Sequence, residues 1–110
     1  MNTVQELQST VIAKDTKDNA TTTATASAST NGSRYHITGV DASFSTSTTS
    51  GLLQLKDDTT VIWEGYVHGG LNISFSSSII GTPNKAFSAV LAASGTGGVI
   101  GKVNVRGYLI

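Results

Sequence analysis

Cysteine is absent from the 110-residue chain, which excludes disulfides and thiolate zinc sites. Charged residues make up only 13% of it, against about 25% in an ordinary soluble domain. Seven basic residues balance seven acidic ones, so there is no cationic surplus with which to grip a nucleic-acid backbone. No stretch approaches the roughly 20 apolar residues of a bilayer-spanning helix, and no membrane partner is expected. Residues 1–13 hold Glu6, no basic start and no apolar run of useful length, so a chain made without an export signal is expected. Three Asn-x-Ser/Thr matches, at Asn19, Asn31 and Asn72, are chance in a chain this rich in hydroxyls.

Ser, Thr, Gly and Ala are what the chain has in quantity. Low charge with many hydroxyls suits an all-β protein that meets other protein surfaces. The length allows one core, burying roughly 60–70% of the surface of the unfolded chain. A small domain without covalent staples often gains further stability by oligomerising.

Residues 59–76 carry the clearest pattern. Val61, Trp63, Gly65 and Val67 alternate with Ile62, Glu64, Tyr66 and His68, the period of a strand. Gly69-Gly70 follows, then Leu71, Ile73 and Phe75 alternate with Asn72, Ser74 and Ser76. The expectation is a hairpin with a two-residue glycine turn, its core anchored by Trp63. Upstream, Tyr35 and Ile37 share one parity while Val40, Ala42 and Phe44 share the other, which places a β-bulge at Thr38-Gly39. Residues 45–50 read as a polar loop, and residues 52–56 as a short strand closed by Asp57-Asp58. Pro83, the one proline, marks a loop or strand boundary. Phe87, Ala89 and Leu91 alternate again. In residues 99–110, Val99, Val103, Val105 and Leu109 face one way, with Gly101 and Gly107 placed where another backbone or ring approaches. This gives six strands from Arg34 on, and an antiparallel β-sandwich, jelly-roll-like.

Residues 1–33 read differently. Val4, Leu7 and Val11 have helical spacing and Thr3 with Glu6 would form a capping box, yet Ser9-Thr10-Val11-Ile12 is β-prone. Residues 20–30 contain only Thr, Ala and Ser, fitting either a disordered linker or an edge strand. An extended or partly disordered N-terminal arm over 1–33, with the sandwich over 34–110, is the division expected. Val11 and Ile12 would enter an apolar pocket of a partner, and Thr21, Thr23 and Thr25 would lie on a strand added to a partner's sheet.

No catalytic or metal motif stands up. Residues 95–102 fail the phosphate-loop pattern at Thr96 and Val103. His36 and His68, with Asp41 and Glu64 the nearest carboxylates, form no clustered ligand or triad pattern, and no G-x-S-x-G elbow exists. Both histidines read as solvent-facing strand residues, and Asp57-Asp58 as a turn rather than a calcium loop. No cofactor is expected. Trp63, Tyr66, Tyr35 and Tyr108 offer a sugar-stacking platform. Parity assigns Trp63 to the core and leaves Tyr66 as the surface aromatic, a candidate partner contact.

His36-Ile-Thr-Gly-Val-Asp-Ala-Ser-Phe44, Leu52-Leu-Gln-Leu-Lys56, Ile62-Trp63, Ile73-Ser-Phe75, Ala89-Val-Leu-Ala-Ala93 and Gly101-Lys-Val-Asn-Val-Arg-Gly-Tyr108 resemble a group of small bacteriophage virion proteins. That resemblance implies a compact β-sandwich acting as a capsid decoration (cement) protein, a trimer bound to the phage major capsid protein. Its place would be the capsid surface of a virion assembled in the host cytoplasm. The alternative it implies is a receptor- or glycan-binding module of a phage tail or fibre. Neither is an enzyme.

Overall fold

A computed structural model describes residues 10–110. The helical spacing and capping box weighed at Thr3, Val4, Glu6 and Leu7, and the start of the extended arm preferred to them, lie outside the described residues. Eight strands follow: β1 (Val11–Asp18), β2 (Thr22–Ala26), β3 (Tyr35–Phe44), β4 (Ser50–Asp57), β5 (Thr60–His68), β6 (Gly70–Ile80), β7 (Phe87–Leu91) and β8 (Ile100–Leu109). They form two four-stranded sheets, β1-β8-β3-β6 and β2-β7-β4-β5, with every pairing antiparallel. Only β4 and β5 are successive strands paired within one sheet. Every other connection crosses to the opposite sheet, which is the interleaved double Greek key of a jelly roll.

Alternation builds the core between the sheets. Ile37, Val40, Ala42, Val103 and Val105 point inward from one sheet, and Ala24, Leu53, Leu55, Val67, Phe87, Ala89 and Leu91 from the other. The phase of β3 switches where its register shifts between Ile37 and Gly39, at the bulge expected there. On the β6 side four residues, 75–78, face the single Thr38. Beside this gap Arg106 braces β3 and β6: its Nη2 donates to the Ile73 carbonyl at 3.1 Å, and its Nε lies 3.3 Å from Asp41 Oδ2. Glycine is required beneath that clamp, because a β-carbon on Gly39 would collide with the guanidinium. Gly107 answers to the same logic, since a β-carbon there would strike the His36 carbonyl. Leu109, expected to face inward, is exposed.

Two expectations are corrected. β5 and β6 are not a hairpin: β5 pairs with β4 through the turn at Asp58 (φ 57) and Thr59, while β6 pairs with β3 in the other sheet. Gly69 (φ 77) is the crossing point. Its N–H donates to the Thr49 carbonyl and its own carbonyl accepts from the Phe44 N–H, both at 2.8 Å, which ties the corner to both sheets.

The second correction concerns residues 1–33. Their described part is not an arm on a finished sandwich. β1 pairs with β8 along its length, and β2 pairs with β7 while burying Thr22, Ala24 and Ala26. Small side chains suffice there because large ones, Phe87 and Leu91, stand opposite on β7. A chain starting at Arg34 therefore uncovers Val103, Val105, Phe87 and Leu91. Fully burying a side chain of that size is worth about 1.5–3 kcal/mol, so partial exposure of the four removes a sizeable share of the roughly 5–15 kcal/mol of a whole domain. Such a truncated chain is expected to lose its cooperative melt by circular dichroism; a sharp transition would restore the arm.

Candidate functional site

Strand parity settles which side chains face out of the sheet β2-β7-β4-β5. Leu53, Leu55 and Val67 are buried, so Leu52, Gln54 and Lys56 on β4 and Glu64 and Tyr66 on β5 turn outward. In register, Leu52 stands opposite Tyr66 and Gln54 opposite Glu64. Val90 continues the second row on β7 and Thr23 completes it on β2. Thr25, Ser88 and Lys56 form a third row. Thr21 is exposed just before β2. Thr21, Thr23, Thr25 and Tyr66 thus share one sheet face, the threonines at one edge and Tyr66 at the other. Three interstrand spacings, roughly 14 Å, separate those edges.

Tyr66 is 78% exposed, and its ring rises beside Leu52 with no burial to account for it. Gln54 Nε2 donates to Glu64 Oε2 at 3.4 Å, placing an amide and a carboxylate one row away. The face therefore joins a flat aromatic ring, a partly apolar floor of Leu52 and Val90, and oriented hydroxyl-binding groups.

The other aromatics do not join it. Tyr35 is buried and its hydroxyl donates to the Ser27 carbonyl at 2.5 Å. Tyr108 stacks on His36 in the other sheet, centroids 4.9 Å apart and planes within 4°. Trp63 has the inward parity expected of it but is only half-buried. Its indole meets Phe75 edge-on at 6.1 Å and leans over Gly65, where a β-carbon would lie 2.7 Å from the ring. Trp63 closes one flank of the core rather than filling its centre.

The titratable candidates stay apart. His36 lies in one sheet, and His68, exposed in the other, contacts the Ser50 hydroxyl through Nδ1. That Ser–His contact went unseen in the sequence, because only the β4–β5 register brings residues 18 apart together. Asp41 is committed to Arg106. Asp57 accepts from the Thr82 N–H at 3.0 Å and its hydroxyl at 2.6 Å, so it pins a loop. No group of three or more His, Asp or Glu side chains gathers among the described residues.

Val11, Ile12 and Thr25 meet elsewhere, lining an open groove of about 420 Å³ with Ala13 and Lys14. Ile12 packs against the chain's own core rather than standing free for a partner's pocket. Nearby, Asp15 Oδ2 accepts from the Thr23 N–H at 3.0 Å and Asp15 Oδ1 from Lys17 Nζ at 2.8 Å. Lys17 first, and the Thr23 amide next, hold the Asp15 carboxyl below its ordinary value. With a lowered folded value, the linked stability is present above the ordinary carboxylate range and is lost as pH falls through the lowered one. It is small, because the group is close to solvent.

No family model matches the chain, and no curated protein matches it. Among solved structures it is similar to the CBM36-1 domain of a multidomain xylanase from the hindgut metagenome of Trinervitermes trinervoides. The TM-score is 0.48 at 13% identity, over 84% of this chain and 72% of that one. It is likewise similar to a carbohydrate-binding module CBM36 in complex with calcium and xylotriose, at TM-score 0.48 and 11% identity, over 84% of this chain and 75% of that one. At such scores the functional reading rests on this chain's own surface.

Trp63 and Tyr66 make opposite predictions. Trp63→Ala is expected to cost about 2–3 kcal/mol, below the 3–5 of a fully buried aromatic, and to lower the melting temperature by several degrees. Tyr66→Ala is expected to stay within about 0.5 kcal/mol of the parent. Thermal melts of the two variants side by side check both.

Proposed function

We propose that the chain is a non-enzymatic binding module and that the outer face of β2-β7-β4-β5 is its glycan-binding surface. The observation that carries this reading is Tyr66, 78% exposed on a rigid sheet and opposite Leu52. An aromatic ring presents an apolar face with a polar tip, and a sugar ring presents C–H groups on one face and hydroxyls on its rim. Glu64 is acceptor-only and Gln54 both donates and accepts, so together they can take both sides of a sugar hydroxyl. Their mutual contact limits the rotamer freedom lost on binding. A flat sheet face admits an extended chain passing across the strands, with the threonine hydroxyls of β2 at its far end.

The same face argues against hydrolysis. Glycosidases flank the scissile bond with two carboxyl groups about 5–9.5 Å apart, and Glu64 is the single carboxylate described on these rows. In a phage tail or fibre, the virion setting implied by the resemblance, such a module would read a host surface glycan.

A second reading, a capsid decoration protein on the virion head, draws on a different observation: Val61, Ile62 and Ile80 are exposed apolar side chains on the two strands of one flank. Such a surface suits a protein partner.

Affinity electrophoresis through gels containing neutral polysaccharides, followed by calorimetric titration with oligosaccharides of the retarding polymer, tests the glycan reading. Retardation is expected for the parent. Tyr66→Ala should weaken binding about tenfold or more, equivalent to about 1.4 kcal/mol, with the fold intact. Binding unchanged by Tyr66→Ala, or no retardation by any polymer, would count for the decoration protein.

A further inference from the structure

The two flanks of the sandwich are built differently. Along one, β1 carries Lys14, Asp15, Lys17 and Asp18, and Asp15 occupies the Thr23 N–H of β2. Charged side chains and occupied amides are how sheet edges are kept from pairing with another chain. The opposite flank is poor in such charges. β6 runs eleven residues, Gly70–Ile80, without a charge, and β5 has none before Glu64. Both are end strands of their sheets.

Apolar side chains gather there. Trp63, Phe75 and Ile79 are only partly buried against the core, and Val61, Ile62 and Ile80 are exposed, Ile80 at 52%. Residues 60–63 open β5 and residues 75–80 close β6, so the antiparallel course of the two strands puts these groups at one end of the flank.

We propose that this flank is the docking surface for a second copy of the same chain, the two related by a two-fold axis. Three arguments choose that occupant. In a two-fold contact residue i of one copy meets j of the other and j meets i, so a charge near the axis would confront its like, and β6 has none to confront. The apolar cluster is self-complementary in character, with no basic or acidic neighbour on β6 to select a charged partner. The size also fits. A strip about 35 Å long, from the strand rise, and about 20 Å across, from the sheet spacing plus side chains, covers roughly 700 Å² per copy. The total of about 1,400 Å² falls in the range of stable interfaces. Two copies, not the three implied by the virion resemblance, satisfy an isologous contact. Tyr66 points out of the sheet rather than along it, so the pair would present two glycan-binding faces.

Sedimentation equilibrium of the full chain between about 1 and 100 μM tests the proposal. The expected result is a species of twice the 11.3-kDa chain mass. Val61→Lys and Ile80→Lys should weaken the association at least tenfold with melts like the parent's, since both side chains are exposed. Val11→Lys, exposed on the guarded flank, should leave the dimer intact. If either variant melts early, Ser76→Lys, exposed in the bulged part of β6, takes its place. A parent that stays monomeric throughout overturns the proposal, as does a threefold mass. So does a dimer that survives the lysines on β5 and β6, or one that Val11→Lys dissolves.

Discussion

The fold depends on its last strand finding a slot between two others. β8 pairs with β1 on one side and β3 on the other, so the end of the chain joins its first described strand to the middle of the molecule. The slot is tight. Gly107 passes the His36 carbonyl with no room for a β-carbon, and Gly101 runs against Thr22, Leu91 and Phe44. Val103 and Val105 between them are buried. Because nearly all neighbours come from distant parts of the sequence, loop-closure entropy is met before the contacts that reward it form, a property of slow-folding all-β topologies.

The alternation in β3 to β8 was legible because large apolar residues separate cleanly from Ser, Asn and Lys. The bulge was legible too, since parity changes at Gly39 and glycine tolerates the kink. β2 was obscured by its composition: Thr22, Ala24 and Ala26 face inward and Thr23 and Thr25 outward, but threonine and alanine differ too little in hydropathy to show it. The partner of β5 was hidden for another reason. A glycine pair between two alternating runs signals a reversal, and it fits a hairpin and a crossing between sheets equally well. Only the fit of β6 beside β3 decides. Tyr66 and Glu64 shared a face by parity alone, whereas their neighbours Leu52 and Gln54 required the β4–β5 register.

Faces and flanks of the sandwich differ in chemistry. The guarded flank spends its charges locally, with Asp15 tied to Lys17 and Thr23, and Asp18 accepting from the Gly98 N–H at 2.9 Å. The open flank keeps Trp63 and Phe75 at its rim. The outer face of β2-β7-β4-β5 holds Tyr66 where it contributes nothing to packing. Its exposed ring and the Gln54–Glu64 pair one row away give that face apolar and polar chemistry side by side.

The proposed glycan site lies on the outer face of β2-β7-β4-β5, and backbone amide chemical shifts test that location most directly. A ¹⁵N-labelled chain titrated with cellotriose, xylotriose, chitotriose and maltotriose in turn should show perturbations from at least one of them. Those shifts should concentrate at Leu52, Gln54, Glu64, Tyr66 and Val90. Shifts confined to the loops around residues 45–49 and 94–98, or to the outer face of β1-β8-β3-β6, would contradict the account.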